Sequence, residues 1–199
     1  MAQETRHSNL SFDNTEIAFR GKSDNDLKRA YWLFKLLGSR LLVNIGAPVT
    51  HFALRIGLPI SGIIRRTIYQ HFCGGETIAG CKPAIESLAA QGVGTILDYS
   101  VEGEDSETDF DRTCEEILRT VEYAKSHGHI PFSVFKPSGL GRFDLLEKIN
   151  RKAVLSQAEA EEYDRVKRRV ERICQAGYDA NIKVLIDAEH SWIQQAIDN

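Results

Sequence analysis

Phe132-Ser133-Val134-Phe135-Lys136 is a short apolar run that follows Pro131 and stops on a charge. Two other runs share its form: Thr95-Ile96-Leu97-Asp98 upstream and Val184-Leu185-Ile186-Asp187 downstream, with helix-patterned segments between them. Strand, helix, strand, helix, strand, with a functional group at the C-terminal end of each strand, is the order from which α/β barrels build their sites. The runs are continuous in polarity, as expected of parallel strands covered by helices. Right-handed crossovers bring the C-terminal ends of such strands to one side, so Asp98, Lys136 and Asp187 are expected to converge. The third run closes twelve residues before Asn199. Three strands do not close an eight-stranded barrel, so the pattern reads as a first half.

Working outward, residues 1–92 read as helical with no convincing strand. Asp24 or Asp26 is expected to cap a helix running to about Val43, with Gly46-Ala47-Pro48 as its break. A second helix is expected over Val49–Ile56 and a third from Pro59 to about Phe72. A fourth covers Glu76–Gln91, broken or restarted near Pro83. Residues 93–199 then carry a first strand from Val93 to about Ser100, an acidic loop (Glu102–Asp109) and an amphipathic helix over Phe110–Ser126. The second strand comes next, followed by helices at Arg142–Asn150 and Ser156–Ala176, the latter stopped by Gly177. The third strand, Lys183–Asp187, precedes a last helix near Ser191. The expected fold is α/β: about three βα units of a distorted (βα)8 TIM-type barrel after an all-helical N-terminal region.

Composition narrows the function. An apolar share of 42%, grouped in periodic runs, excludes whole-chain disorder. A net charge of −3 gives no argument for a nucleic-acid partner. Cys73, Cys81, Cys114 and Cys174 form no C-x-x-C pair and show no zinc spacing, and the six histidines show no H-x-x-x-H pairing, so no metal site is expected. Scattered thiols of this kind suit a reducing, cytoplasmic setting. Met1–Asn9 lacks the apolar stretch of a signal peptide. Leu33–Ile64 is the most apolar part, but Arg40, Asn44, His51, Arg55 and Pro59 interrupt it, which argues against a membrane-spanning helix. Arg40, Arg55, Arg65 and Arg66 accompany its apolar positions and leave peripheral membrane contact open.

Lys136 is the sharpest chemical candidate. At the mouth of a parallel sheet it suits either a fixed positive charge for a substrate carboxylate or, if burial lowers its pKa, a Schiff-base lysine. Asp187 is costly to bury without a partner; it suits pairing with Lys136, orienting another group or holding a cofactor, and an N-cap role competes. Asp98 and Glu189 carry the same ambiguity. Gly139-Leu140-Gly141-Arg142 lacks the full dinucleotide-binding spacing.

Taken together, the runs Ile96–Glu102, Phe135–Phe143 and Leu185–Trp192, with Phe72-Cys73-Gly74-Gly75-Glu76-Thr77 before them, resemble the proline dehydrogenase family in the correct order across residues 72–192. The resemblance implies a distorted (βα)8 barrel that binds FAD and oxidises L-proline to Δ1-pyrroline-5-carboxylate by hydride transfer to the flavin, with membrane quinone as electron acceptor. It places Lys136 at the lysine that holds the proline carboxylate, and Asp187 in the polar network around substrate and cofactor. It also implies peripheral location at an inner membrane. Most FAD contacts, a tyrosine near the substrate and a paired-arginine helix belong to later strands of the family. The 199-residue chain alone is therefore expected neither to hold FAD tightly nor to turn over proline. Two other readings compete: a Schiff-base barrel aldolase using Lys136, and a non-catalytic half-barrel fragment that pairs with another chain.

Overall fold

A computed structural model of the chain describes residues 12–99 and 105–198. Met1–Asn9, the Ser100–Glu102 end of the first resembling run and most of the acidic loop before Asp105 lie outside the described residues. The chain divides into two compact units, Met1–Ser87 and Leu88–Asn199.

The first unit is helical. It holds α1 (Thr15–Ala18), α2 (Asp24–Leu37), α3 (Arg40–Arg55), α4 (Ser61–Ile64), a π-helical turn (Arg65–Tyr69), α5 (Gln70–Phe72) and most of α6 (Ile78–Ala89). Ser23 and Asp26 form a reciprocal capping box at the start of α2. The break expected at Gly46-Ala47-Pro48 lies instead at Gly38–Ser39, and α3 runs through Pro48. The Gly38 N–H closes α2 on the Phe34 carbonyl at 2.8 Å, and the Ser39 hydroxyl accepts from the Leu42 N–H to restart the helix. Pro48 removes one interior hydrogen bond from α3 without ending it. Pro83 likewise sits inside an unbroken α6. At the Cys73–Glu76 turn, the Tyr69 hydroxyl donates to the Gly75 carbonyl at 2.7 Å. A Cβ on Gly75 would lie 2.6 Å from the Gly80 backbone, so only glycine permits that approach.

The second unit is α/β. Its elements are β1 (Ile96–Leu97), α7 (Glu107–Lys125), β2 (Phe132–Phe135), a 3₁₀ turn (Pro137–Gly139), α8 (Phe143–Asn150), α9 (Gln157–Ala180), β3 (Lys183–Ile186) and α10 (Gln194–Asp198). The strands form one parallel sheet in the order β1-β2-β3. Ile96 pairs with Phe132, Phe132 with Lys183 and Phe135 with Ile186. β1 is shorter than the expected Val93–Ser100. The Thr95 N–H reaches the His129 carbonyl at 2.8 Å, and Pro131, lacking an N–H, prevents a longer ladder.

Alternate residues of β2 have opposite fates. Ser133 and Phe135 are buried on one face, where Cys114 and Ile117 of α7, Leu140 and Ile173 of α9 complete a tight cluster. Each such large apolar side chain contributes about 1.5–3 kcal/mol. The buried Thr120 and Ser133 hydroxyls satisfy each other at 3.0 Å. On the other face Ile96 and Leu185 remain 44% and 41% exposed. Among the described residues, helices cover one face of the sheet.

Arg169 fastens the covered layer. It is 4% exposed, and it donates to Asp111 at 2.7 Å, to Glu107, and to the Leu140 carbonyl at 3.0 Å. Further along α9, Gly177 does not stop the helix, which continues to Asn181, a left-handed cap with φ 55°. Gly177 is there for packing: a Cβ would lie 2.4 Å from Val184 Cγ2 and 3.0 Å from the Ile182 carbonyl.

Two predictions follow from α9. Gly to Ala inside a helix ordinarily stabilises by about 1 kcal/mol, whereas Gly177→Ala is expected to lower stability by about 1–3 kcal/mol through overpacking, measured by urea denaturation. At the start of α9, Glu159 is held down to about 2, by a hydrogen bond from Lys148 first and by the Ser156 N–H and hydroxyl next. A lowered carboxylate pKa stabilises fully above the ordinary value of 4.5, and the contribution is lost as pH falls toward 2. Carboxyl NMR titration is expected to show the Glu159 midpoint near 2 and its return toward the ordinary value in Ser156→Ala/Lys148→Ala.

Candidate functional site

The β2–β3 register decides which side chains meet. One step past the strands, the Asp187 N–H donates to the Phe135 carbonyl at 3.0 Å and so extends the ladder. That places Asp187 beside Lys136, on the same alternation as Val134 and Leu185, facing away from α7 and α9. The Lys136 ammonium donates to Asp187 Oδ2 at 3.0 Å. The lysine side chain is 22% exposed and the aspartate 44%. Partial burial and a charged partner make this a stronger contact than an exposed surface pair.

The hydrogen bond that Lys136 donates to Asp187 raises the lysine pKa, against a lowering by burial; the charges of Asp187, Asp98 and Glu189 add to the rise. Lys136 is therefore a fixed cation at neutral pH. An ammonium has three donors, so N–H groups remain for an incoming carboxylate. A Schiff-base lysine needs the opposite shift, toward the neutral amine.

Glu189 turns elsewhere. Its carboxylate accepts the Ser138 N–H at 2.9 Å and the Ser138 hydroxyl at 2.5 Å. The loop after Lys136 is thus pinned at two points: Ser138 by Glu189, and Leu140 by the buried Arg169. Pro137 opens its 3₁₀ turn. Gly141 lets α9 pass, since a Cβ there would lie 2.4 Å from Val166 Cγ2. Arg142 grips Glu162 through two hydrogen bonds of 2.8 and 3.0 Å and Asp144 at 2.8 Å, which anchors α8 to α9. His190 stacks on Trp192 with ring centroids 4.5 Å apart and meets Phe143 edge-on.

Of the four candidate residues, the fold therefore pairs Lys136 with Asp187 directly. Asp98 contributes charge to Lys136, and Glu189 joins through Ser138. Sequence reasoning missed the Ser138–Glu189 clamp and the Arg169 network. A signal existed for Arg169: it lies three residues after Val166 and four before Ile173, a charge set into the apolar stripe of α9.

The family model described as proline dehydrogenase matches residues 81–199, more than half of the chain. The carbapenem antibiotics biosynthesis protein CarD of Pectobacterium carotovorum subsp. carotovorum is 35% identical over 127 residues, covering 64% of this chain and 34% of that protein. Proline dehydrogenase 1, mitochondrial, of Dictyostelium discoideum is 24% identical over 230 residues, covering 96% of this chain and 40% of the relative. Its Arabidopsis thaliana counterpart is 23% identical over 237 residues, covering 98% and 48%. The chain spans less than half the length of each of these relatives. A model match over the whole α/β unit, with Lys136 and Asp187 inside it, makes the chain a member of the proline dehydrogenase family.

Proposed function

We propose that the chain contributes the first strands of a (βα)8 barrel to an FAD-dependent oxidation of L-proline to Δ1-pyrroline-5-carboxylate. Residues 1–92 form its helical lead-in and 93–199 its partial barrel. The observation that carries this reading is the Lys136–Asp187 pair, an ammonium charged at neutral pH with spare donors at the open end of a parallel sheet. Lys136 takes the substrate carboxylate; Asp187 keeps Lys136 protonated and aims it. The Ser138–Glu189 clamp fixes the loop on which Lys136 sits. The raised pKa of Lys136 counts against the aldolase reading.

The residues present suit a flavin. Ile96 and Leu185 offer half-exposed apolar surface on the same face as the pair, and the second Asp187 oxygen is an acceptor suited to a polar group of the cofactor. FAD, when bound, supplies the hydride acceptor. Quinone is the proposed onward acceptor, and the proposed location is cytoplasmic and peripheral at an inner membrane. The 199-residue polypeptide alone is proposed to be inactive, because the face bearing Lys136 has no opposing wall among the described residues.

The test compares this polypeptide with the longest one its reading frame encodes, each incubated with FAD and L-proline without oxygen. The longer product is expected to retain flavin that bleaches with proline, and the 199-residue product to retain none. Flavin that proline leaves oxidised in the longer product overturns the substrate; a bleached flavin on the 199-residue product overturns its inactivity.

In an active polypeptide, Lys136→Met is expected to raise KM for proline by about 10–100-fold, the loss of one hydrogen bond to a charged group, with flavin content unchanged. A raised lysine pKa sustains binding up to and beyond the ordinary value of 10.5, and binding weakens as pH rises through the shifted value. Asp187→Asn is expected to bring that alkaline limb to lower pH in a KM–pH profile.

A further inference from the structure

At Gly75 the first unit folds back on itself. A Cβ there would lie 2.6 Å from the Gly80 carbonyl carbon and 2.7 Å from the Cys81 nitrogen. The segment leaving Cys73, which is extended at φ −115° and ψ 136°, therefore lies against the first turn of α6. A Cβ on Gly74 would lie 3.7 Å from the Cys81 sulfur, at van der Waals contact. The Tyr69 hydroxyl holds this shape through the Gly75 carbonyl. Two cysteines eight residues apart in sequence thus stand one peptide step from contact. That step is about 3.8 Å between Cα atoms, and a disulfide joins Cα atoms about 4.4–6.8 Å apart. Rotation of the two side chains with a small shift of the turn closes the bond.

The two thiols are not alike. Cys73 is exposed and Cys81 half-buried. Burial first, and then the charge of Cys73, raises the Cys81 thiol, which leaves the first attack to Cys73. An exposed thiol poised beside a resolving one is the arrangement of redox-sensing cysteines. Among the described residues, no third His, Cys, Asp or Glu joins the pair in a metal-binding group. Cys73 also opens on a cavity of about 590 Å³ that Lys22, Arg29, Arg65 and Arg66 line against two acids, Asp26 and Glu76. Arg29 pairs with Asp26 at 3.5 Å and Arg65 with Glu76 at 3.0 Å, which leaves Lys22 and Arg66 as excess positive charge. Such a lining raises the local concentration of an anionic visitor.

We propose that Cys73 and Cys81 are a reversible thiol–disulfide pair, oxidised by a small anionic disulfide of the glutathione type that enters this cavity. The Cys73 thiolate attacks one sulfur of the small disulfide, whose S–S bond breaks to release one thiolate and leave a mixed disulfide. The charge of Cys73 is then gone, and with it one of the two causes that keep Cys81 protonated. Cys81 gives its proton to solvent and attacks the Cys73 sulfur, expelling the second small thiolate. The two protein thiols lose two electrons and two protons, and the small disulfide gains them as two thiols. The new bond ties the end of α5 to the first turn of α6. In a reducing compartment the pair stays open, and it closes as the glutathione pool becomes oxidised. This inference stands whether or not proline is the substrate.

The test titrates the reduced, intact 199-residue chain with mixtures of reduced and oxidised glutathione, followed by acid quench, alkylation, trypsin and mass spectrometry. Both thiols fall in one tryptic peptide, Thr67–Arg112, with no other cysteine, because Pro83 protects the bond after Lys82. That peptide is expected to become lighter by two hydrogens and to escape alkylation as the oxidised fraction rises, and to recover both thiols in reduced glutathione. Cys81→Ser is expected to stop at a glutathione adduct on Cys73, and Cys73→Ser to leave Cys81 open to alkylation. Lys22→Gln/Arg66→Gln is expected to slow oxidation by oxidised glutathione about 10-fold, with no change toward the uncharged hydroxyethyl disulfide. Lys22 and Arg66 are exposed, and circular dichroism matching the wild type verifies the fold of each variant. A wild-type peptide that keeps both thiols, or that stops at a glutathione adduct, overturns the proposed pair. Equal rates of oxidation by oxidised glutathione in wild type and Lys22→Gln/Arg66→Gln overturn the cavity as the oxidant's entry.

Discussion

Phe132 faces Lys183 and Phe135 faces Ile186 in a parallel ladder that the Asp187 N–H extends to the Phe135 carbonyl. The side-chain period of a strand is two, so a slip of one residue would send Lys136 into the helical layer and Phe135 into water. The buried Ser133–Thr120 contact and the Phe135 cluster oppose that slip. Hydrophobic packing on one face thus fixes the electrostatics on the other: Lys136 meets Asp187 because Phe135 is buried. The same register brings Glu189 to Ser138, fifty-one residues away in sequence.

Much of this was legible before any coordinates. The second and third strands and their charged ends follow from apolar runs that stop on a charge, whereas pairing with Lys136 was one of several roles the sequence left open for Asp187. Errors arose where one residue type serves two purposes. Pro48 and Pro83 read as breaks, yet each removes a single interior hydrogen bond that its helix survives. Gly177 read as a helix stop; it is a glycine because Val184 lies against it. That contact joins α9 to β3, and no local pattern marks it. The Ser138–Glu189 clamp was hidden for the same reason, since neither residue type announces a long-range partner.

Membership in the proline dehydrogenase family and the geometry of the sheet address different questions. The family match covers the α/β unit, where the charged pair sits. The helix α3 lies in the other unit, before the matched residues.

The alternation along β2, matched by Lys183, Val184 and Leu185 of β3, also separates two kinds of evolutionary change. Ser133, Phe135 and Val184 belong to the packed layer, and replacing them removes contacts that hold the unit together. Val134, Lys183 and Leu185 project from the same backbone without joining that layer, with Lys183 and Leu185 exposed and Val134 half-buried. Their replacement alters what an approaching molecule meets at small thermodynamic expense. A descendant of this sequence can therefore drift toward a new ligand through every second strand residue while its neighbours stay fixed.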